Sequence, residues 1–189
     1  MDGIVDGAVN AVMDEEGDNT KRHNILYEDS HINDVFIKTV RENQTAMFRL
    51  AYSIVGNKED AEDTVSEAIL KAFTHLGELR KRKKMKAWLF QILVNESKTC
   101  LKKRNRMELR EDICGFEGKE KVPSYGLFEF VNQLEDIHKE VVLLFYFEEF
   151  NIKEIAGILD ISVGTVKSRL SRARGKLKMF LEKDHSWKG

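Results

Sequence analysis

The chain has 189 residues, with 31 Lys and Arg against 32 Asp and Glu, a formal charge of -1, 42% hydrophobic residues and 33% charged ones. That length suits one domain or two small ones, and the apolar fraction is that of a folded protein, while one Pro and 12 Gly argue against a many-turned β fold. The longest apolar run, Val141 to Phe147, falls far short of the roughly 20 residues a membrane-spanning helix needs. With no basic segment leading into an apolar stretch at the start, the expectation is a cytoplasmic protein without stable membrane insertion. Cys100 and Cys114 lack zinc or redox spacing, and the five histidines are scattered. Glycine-rich phosphate loops and nucleophile elbows are absent, so no metal, cofactor or catalytic residue is expected.

Residues 1–32 carry most of a run of acids, Asp2, Asp6, Asp14, Glu15, Glu16, Asp18, Glu28 and Asp29, against only Lys21 and Arg22, and read as a mobile acidic tail. A helical period takes over near Asn33: Phe36, Val40, Met47, Leu50, Ala51 and Ile54 share one face, and Gly56 supplies a C-terminal stop. Asn57 is placed to cap the next helix, which turns Ala61, Val65, Ala68, Ile69, Ala72 and Phe73 inward. Glu59, Asp60, Glu62, Asp63 and Glu67 are left largely outward. Such a face can serve solubility alone, and a protein partner is the better explanation of it.

A basic stretch follows, Arg80, Lys81, Arg82, Lys83, Lys84 and Lys86, and opens into a helix with Met85, Trp88, Leu89, Ile92 and Leu93 inward. From Arg80 to Arg106 there are eleven basic residues against one acid, Glu96, a local charge of about +10 that implies a polyanion partner. Trp88 has two readings. Its inward position suits the core, and its place beside the cations suits stacking on unpaired bases.

The period is lost over residues 107–125, which contain Gly115, Gly118 and the only proline, Pro123, and read as a linker. Beyond it short helices return: Leu127 to Leu134, Ile137 to Glu149, Ile152 to Leu159, and Val163 to about Leu181. The fold class expected is therefore all-α, with lobes at 33–106 and 126–184 joined by a flexible linker and a tail at 185–189. From Asn151 to Leu170 the spacing is that of a helix-turn-helix. Asn151 and Glu154 can cap each other, Ile155, Ala156 and Leu159 face in, and Ser162 can cap the second helix. Val166 and Leu170 anchor that helix, leaving Thr165, Lys167, Ser168, Arg169, Ser171 and Arg172 for a DNA groove and its flanking phosphates. Ile161 to Lys178 holds six basic residues and no acid, although a solvated basic helix in a small bundle would look the same in charge alone.

Three segments resemble the extracytoplasmic-function (ECF) sigma factors of the sigma-70 family: Phe48 to Ala68 (FRLAYSIVGNKEDAEDTVSEA), Lys86 to Asn95 (KAWLFQILVN), and Ile155 to Leu177 with its GTVKSRL core. The likeness spans roughly Asn33 to Lys183. It implies a detachable specificity subunit of RNA polymerase, without catalysis of its own. Core polymerase would be gripped by Asp60, Glu62, Asp63 and Glu67. The promoter's -10 element would be melted and held by Arg80, Lys81, Arg82, Lys83, Lys84, Lys86, Trp88 and Asn95. The -35 element would be read by Ser162, Thr165, Lys167, Ser168, Arg169, Ser171 and Arg172. An anti-sigma factor and a monomeric free state are also implied. Two departures stand out: Leu134-Glu135-Asp136 replaces the usual Leu-Pro before the penultimate helix, and the base-capture loop is crowded with Arg and Lys.

Two other functions were open to the residues. A stand-alone helix-turn-helix regulator would bind an operator unaided, usually as a dimer, yet no dimerisation heptad is evident. A nucleic-acid-processing enzyme would need clustered carboxylates or a zinc set beside the basic groove, and neither is visible.

Overall fold

The computed structural model describes residues 25–79, 81–111 and 127–183, and within them the chain is helical throughout its regular structure. Helix α1 is Ile25–Val55, α2 Lys58–Thr74, and α3 Met85–Glu111, with short 3-10 turns at Leu76–Glu78 and Arg82–Lys84 between the last two. These three form the first lobe. The second contains α4 (Leu127–Asn132), α5 (Asp136–Val142), α6 (Ile152–Leu159) and α7 (Val163–Lys183).

Local signals set the helix ends of the first lobe. The face of α1 that repeats Phe36, Val40, Met47, Leu50, Ala51 and Ile54 is buried throughout. The helix stops at Gly56, whose φ of 86° is open to glycine at no steric cost and whose N–H donates to the Tyr52 carbonyl at 2.9 Å. Asn57 then caps α2, its Oδ1 accepting from the Asp60 N–H at 2.8 Å. Helix α1 begins at Ile25, eight residues before the expected start at Asn33. Helix α3 likewise runs on to Glu111, beyond the expected linker boundary, through residues that are mostly strong helix formers. The acidic tail before residue 25, the linker from residue 112 and the tail from residue 184 lie outside the described residues.

In the second lobe Asn151 and Glu154 form the expected capping box: the Asn151 side chain accepts from the N–H groups of Lys153 and Glu154, and Glu154 accepts from the Asn151 N–H. The helix-turn-helix turn places Asp160 at φ 55°, ψ 52°, a left-handed position that Asp tolerates better than most residues. Ile161 N–H donates across it to the Ala156 carbonyl at 3.0 Å. Val166, Leu170, Ala173 and Leu177 then anchor α7. Where the family has Leu-Pro, Glu135 stands at φ -60°, ψ 146°, a φ that proline would also adopt, and its carbonyl accepts from His138 and Lys139 N–H at 2.9 Å.

The end of α5 departs from regular helix. Leu143–Phe147 winds as a π-helical turn, with Glu148 N–H donating to the Leu143 carbonyl at 3.1 Å, and Glu149 follows at φ 58°. This turn carries Glu148 and Phe150 toward the first lobe.

The lobes do not stand apart. Helix α3 lies against α6 and α1 against α5, and buried apolar residues from both lobes form one continuous core. Phe90 meets Phe150 edge-on with ring centres 5.2 Å apart. Lys98 Nζ reaches the Leu159 carbonyl at 3.4 Å, at the negative end of the α6 dipole. Consequently α3 is buried on a wider arc than one lobe requires: Phe90, Val94 and Ser97 are covered along with Met85, Leu89 and Leu93.

Candidate nucleic-acid interface

Helix α7 presents the clearer surface. With Val166, Leu170, Ala173 and Leu177 buried, the opposite side exposes Lys167, Ser171, Arg174 and Lys178 at positions i, i+4, i+7 and i+11, one row along the helix. Ser168 and Arg172 flank that row and are exposed, while Thr165 and Arg169 are half-buried. Lys167, Arg172 and Arg174 form no ion pair among the described residues. Ser162 is occupied locally: its Oγ accepts from the Thr165 N–H at 3.0 Å and shares a 2.8 Å hydrogen bond with Thr165 Oγ1. Ser168 Oγ donates to the Thr165 carbonyl at 3.0 Å. Ser162, Thr165 and Ser168 thus build the start of α7.

Beneath this helix lies His138, 4% exposed, whose ring nitrogens have no hydrogen bond among the described residues, Nδ1 lying 3.5 Å from a Glu135 carboxylate oxygen. Burial lowers its pKa, and the cationic neighbours Lys176, Arg172 and Arg169 on α7 lower it further, against an opposing pull from Glu135. The imidazole beneath α7 is thus biased toward its neutral form. Lys176 pairs with Glu135, which ties α7 to the start of α5.

In the first lobe Lys81, Arg82, Lys83 and Lys84 are all exposed around the 3-10 turn, and none is ion-paired among the described residues. Arg80 lies outside the described residues. Asn95 is exposed farther along α3. Trp88 is half-buried and packed against the core, which favours its packing reading. Lys86 belongs to a different setting. Its Nζ lies 3.4 Å from a Glu148 carboxylate oxygen, 3.1 Å from the Glu148 carbonyl, and over the rings of Phe150 (5.0 Å) and Phe90 (5.7 Å).

The four α2 carboxylates expected to meet a protein partner are not equivalent. Asp60 is half-buried, accepts from Arg104 at 2.8 Å and also accepts from the Asn57 side chain, so it braces α2 against α3. Glu62 is half-buried beside Lys58 at 3.7 Å. Asp63 and Glu67 stand exposed. Sequence reasoning overlooked Arg174, which its spacing from Lys167 places on the same row. It also overlooked Arg49 and Lys98, whose partners lie in the other lobe and leave no local trace.

Two helical lobes with exposed cations, one of them a helix-turn-helix, define an all-α DNA-binding protein. Residues 39–107 match the family pattern described as Sigma-70 region 2, and residues 127–177 that described as Sigma-70, region 4. The RNA polymerase sigma factor SigV of Bacillus subtilis (strain 168) is 30% identical over 154 residues, spanning 79% of this chain and 93% of that protein. The ECF RNA polymerase sigma factor SigW of the same organism is 29% identical over 167 residues, 78% of this chain and 89% of that protein. Among solved structures, the sigma factor RpoE in complex with the anti-sigma factor NepR from Bartonella quintana has a TM-score of 0.68 and 29% identity, covering 79% of this chain and 98% of that one. The chain belongs to the ECF sigma factors of the sigma-70 family. It is an alternative RNA polymerase sigma factor, a non-catalytic subunit class that joins core polymerase to promoter DNA.

Proposed function

We propose that three surfaces divide the sigma factor's work. The exposed carboxylates Asp63 and Glu67, with Glu62 beside them, dock on core polymerase, while Asp60 acts mainly by holding α2 in place. The cations Lys81 to Lys84, with Arg80, Lys86 and Asn95, hold the melted -10 strand. Helix α7 enters the -35 major groove with Lys167, Arg169, Ser171, Arg172 and Arg174, and Ser162, Thr165 and Ser168 set its entry. What supports the reading most is the row Lys167, Ser171, Arg174 and Lys178, outward and free of acids apart from Glu182 beside Lys178. The lobes correspond to residues 25–111 and 127–183. The chain supplies no catalytic residue and acts in the cytoplasm, where polymerase and promoter are. An anti-sigma factor is a further partner, by analogy with the RpoE and NepR pair.

The test is in vitro transcription with core polymerase, this protein and genomic DNA carrying its own upstream region. Run-off transcripts from defined starts are expected. Asp63→Lys with Glu67→Lys should abolish them by weakening polymerase binding, whereas Arg172→Ala with Arg174→Ala should leave polymerase binding intact and lower initiation. Binding to an operator unaided, with no response to core polymerase, would contradict the proposal.

A further inference from the structure

Between α5 and α7 a small group of charges surrounds a residue that none of the promoter contacts uses. His138 of α5 is 4% exposed, its ring nitrogens make no hydrogen bond among the described residues, and Nδ1 lies 3.5 Å from one carboxylate oxygen of Glu135. The other oxygen of that carboxylate pairs with Lys176 of α7. Lys176 follows Arg172 by one turn, and Arg172 and Arg169 are the remaining cations that act on the imidazole. Helix α4, which packs on both α5 and α7, carries one charged residue, the exposed Glu129, and on α5 itself Asp136 lies beside Lys139 at 3.7 Å. We propose that His138 is a positioning residue of the -35 contact: on taking a proton it draws Glu135 from Lys176 and frees that lysine for a backbone phosphate, so that acid tightens the grip of α7 on duplex DNA. The idea rests on the assignment of α7 to the -35 element made above.

Three observations carry it. First, one carboxylate serves two bases. While His138 is neutral only Lys176 draws on the charge of Glu135, but a protonated His138 adds a second cation at the same group. The buried imidazolium depends on that acceptor more than Lys176 does, because the lysine side chain is 33% exposed and water can replace its partner. Second, an apolar side chain would fill the place of His138 without leaving polar atoms unpaired, so packing alone does not account for an imidazole there. Third, the direction of the effect follows from the neighbours. Burial first, and then Lys176, Arg172 and Arg169, hold the pKa of His138 down against the pull of Glu135. A DNA phosphate beside those cations offsets their repulsion, so the bound protein holds the proton more readily than the free one. By linkage the proton then favours DNA as DNA favours the proton, and binding tightens as the pH falls through the pKa of the bound form. The same repulsion weakens the free fold in acid.

The experiment uses the full chain assembled with core polymerase and a fluorescein-labelled duplex carrying the chain's own upstream region, at pH 7.5 and 5.5 and equal ionic strength. Between these values the affinity of wild type should rise about fivefold more than that of His138→Gln, the low end of coupling between two ligands. His138→Leu should match His138→Gln, and Lys176→Met should lose the extra gain although His138 is kept. Equal rises in wild type and both His138 variants would overturn the proposal, and an extra gain that survives Lys176→Met would overturn the exchange of partners. Calorimetric titration of the wild-type holoenzyme with the duplex, in two buffers of different ionisation enthalpy, needs no variant. Proton uptake near pH 6 is expected there, and its absence would also overturn the proposal. Transcription from the same duplex separates the two levels: wild type that gives no transcript at pH 7.5 overturns the sigma-factor reading of α7 and the role of His138 with it, whereas wild type that transcribes and shows no extra gain overturns the role of His138 alone.

Discussion

Helices α3 and α7 are both long, basic and amphipathic, yet their cations have different fates. Lys86 and Lys98 of α3 are engaged by Glu148 and the end of α6, Arg104 is held by Asp60, and the helix is covered on two sides. On α7 the buried stripe is single, and Lys167, Arg172 and Arg174 face outward without a described ion pair. Charge density alone does not mark a DNA-binding surface. Charge left over after the fold has satisfied its own carboxylates and carbonyls is the better guide, and by that measure α7 has more cations to offer the proposed DNA contact than α3.

The largest effects are expected from packing. Leu170→Ala, at a 1% exposed site in a single core, should cost about 2–5 kcal/mol and unfold the helix-turn-helix. Phe90→Ala should cost about 3–5 kcal/mol and also separate the lobes, because the same ring serves both, and urea unfolding with scattering would distinguish the two outcomes. A second contrast lies on α2. Asp60→Lys should lower stability by about 1–2 kcal/mol through loss of the Arg104 and Asn57 contacts, whereas Asp63→Lys should change it by less than about 0.5 kcal/mol and act on polymerase affinity instead.

Salt dependence sharpens the contrast between the helices. Removing Arg174 should reduce the salt slope of -35 DNA binding by about one, the value for one lost phosphate contact. Removing Lys98, whose described partner is the Leu159 carbonyl, should leave that slope unchanged. The smallest expected effect is pH dependence beneath α7. His138 has a lowered pKa in the fold, so the unfolded chain binds the proton more readily. Stability should fall as pH drops below the ordinary imidazole value of about 6.5. Glu148, with its pKa raised, pulls the opposite way as the pH approaches the carboxylate range. His138→Leu should therefore reduce the loss between about pH 7.5 and pH 5.5, read from thermal melts. The groups facing His138 are Glu135, Lys176, Arg172 and Arg169, and variants at these positions should alter the slope in the sense of their charge.

Features carried by short-range chemistry were legible in the residues. Gly56 and Asn57 mark a helix stop and restart, Asn151 and Glu154 announce a capping box, and Val166 with Leu170 fixes which side of α7 is outward. The Glu148 contact was hidden because its partners lie 62 residues away for Lys86 and nearly a hundred for Arg49, and no local period couples them. Phe90 shows why periodicity misleads at such a place: it is fully buried, and its ring meets Phe150 of the other lobe. Asp60 illustrates the same lesson in charge, since a carboxylate that reads as surface is used internally by Arg104.

The proposed division of labour requires the two lobes, packed on each other here, to part when each holds its own promoter element. Fluorescence transfer between a donor on the exposed side of α2 and an acceptor on the exposed side of α7 tests it directly. High transfer in the free protein, falling when core polymerase and promoter are added and transcription begins, is the predicted result. Transfer that stays high through active transcription would contradict it.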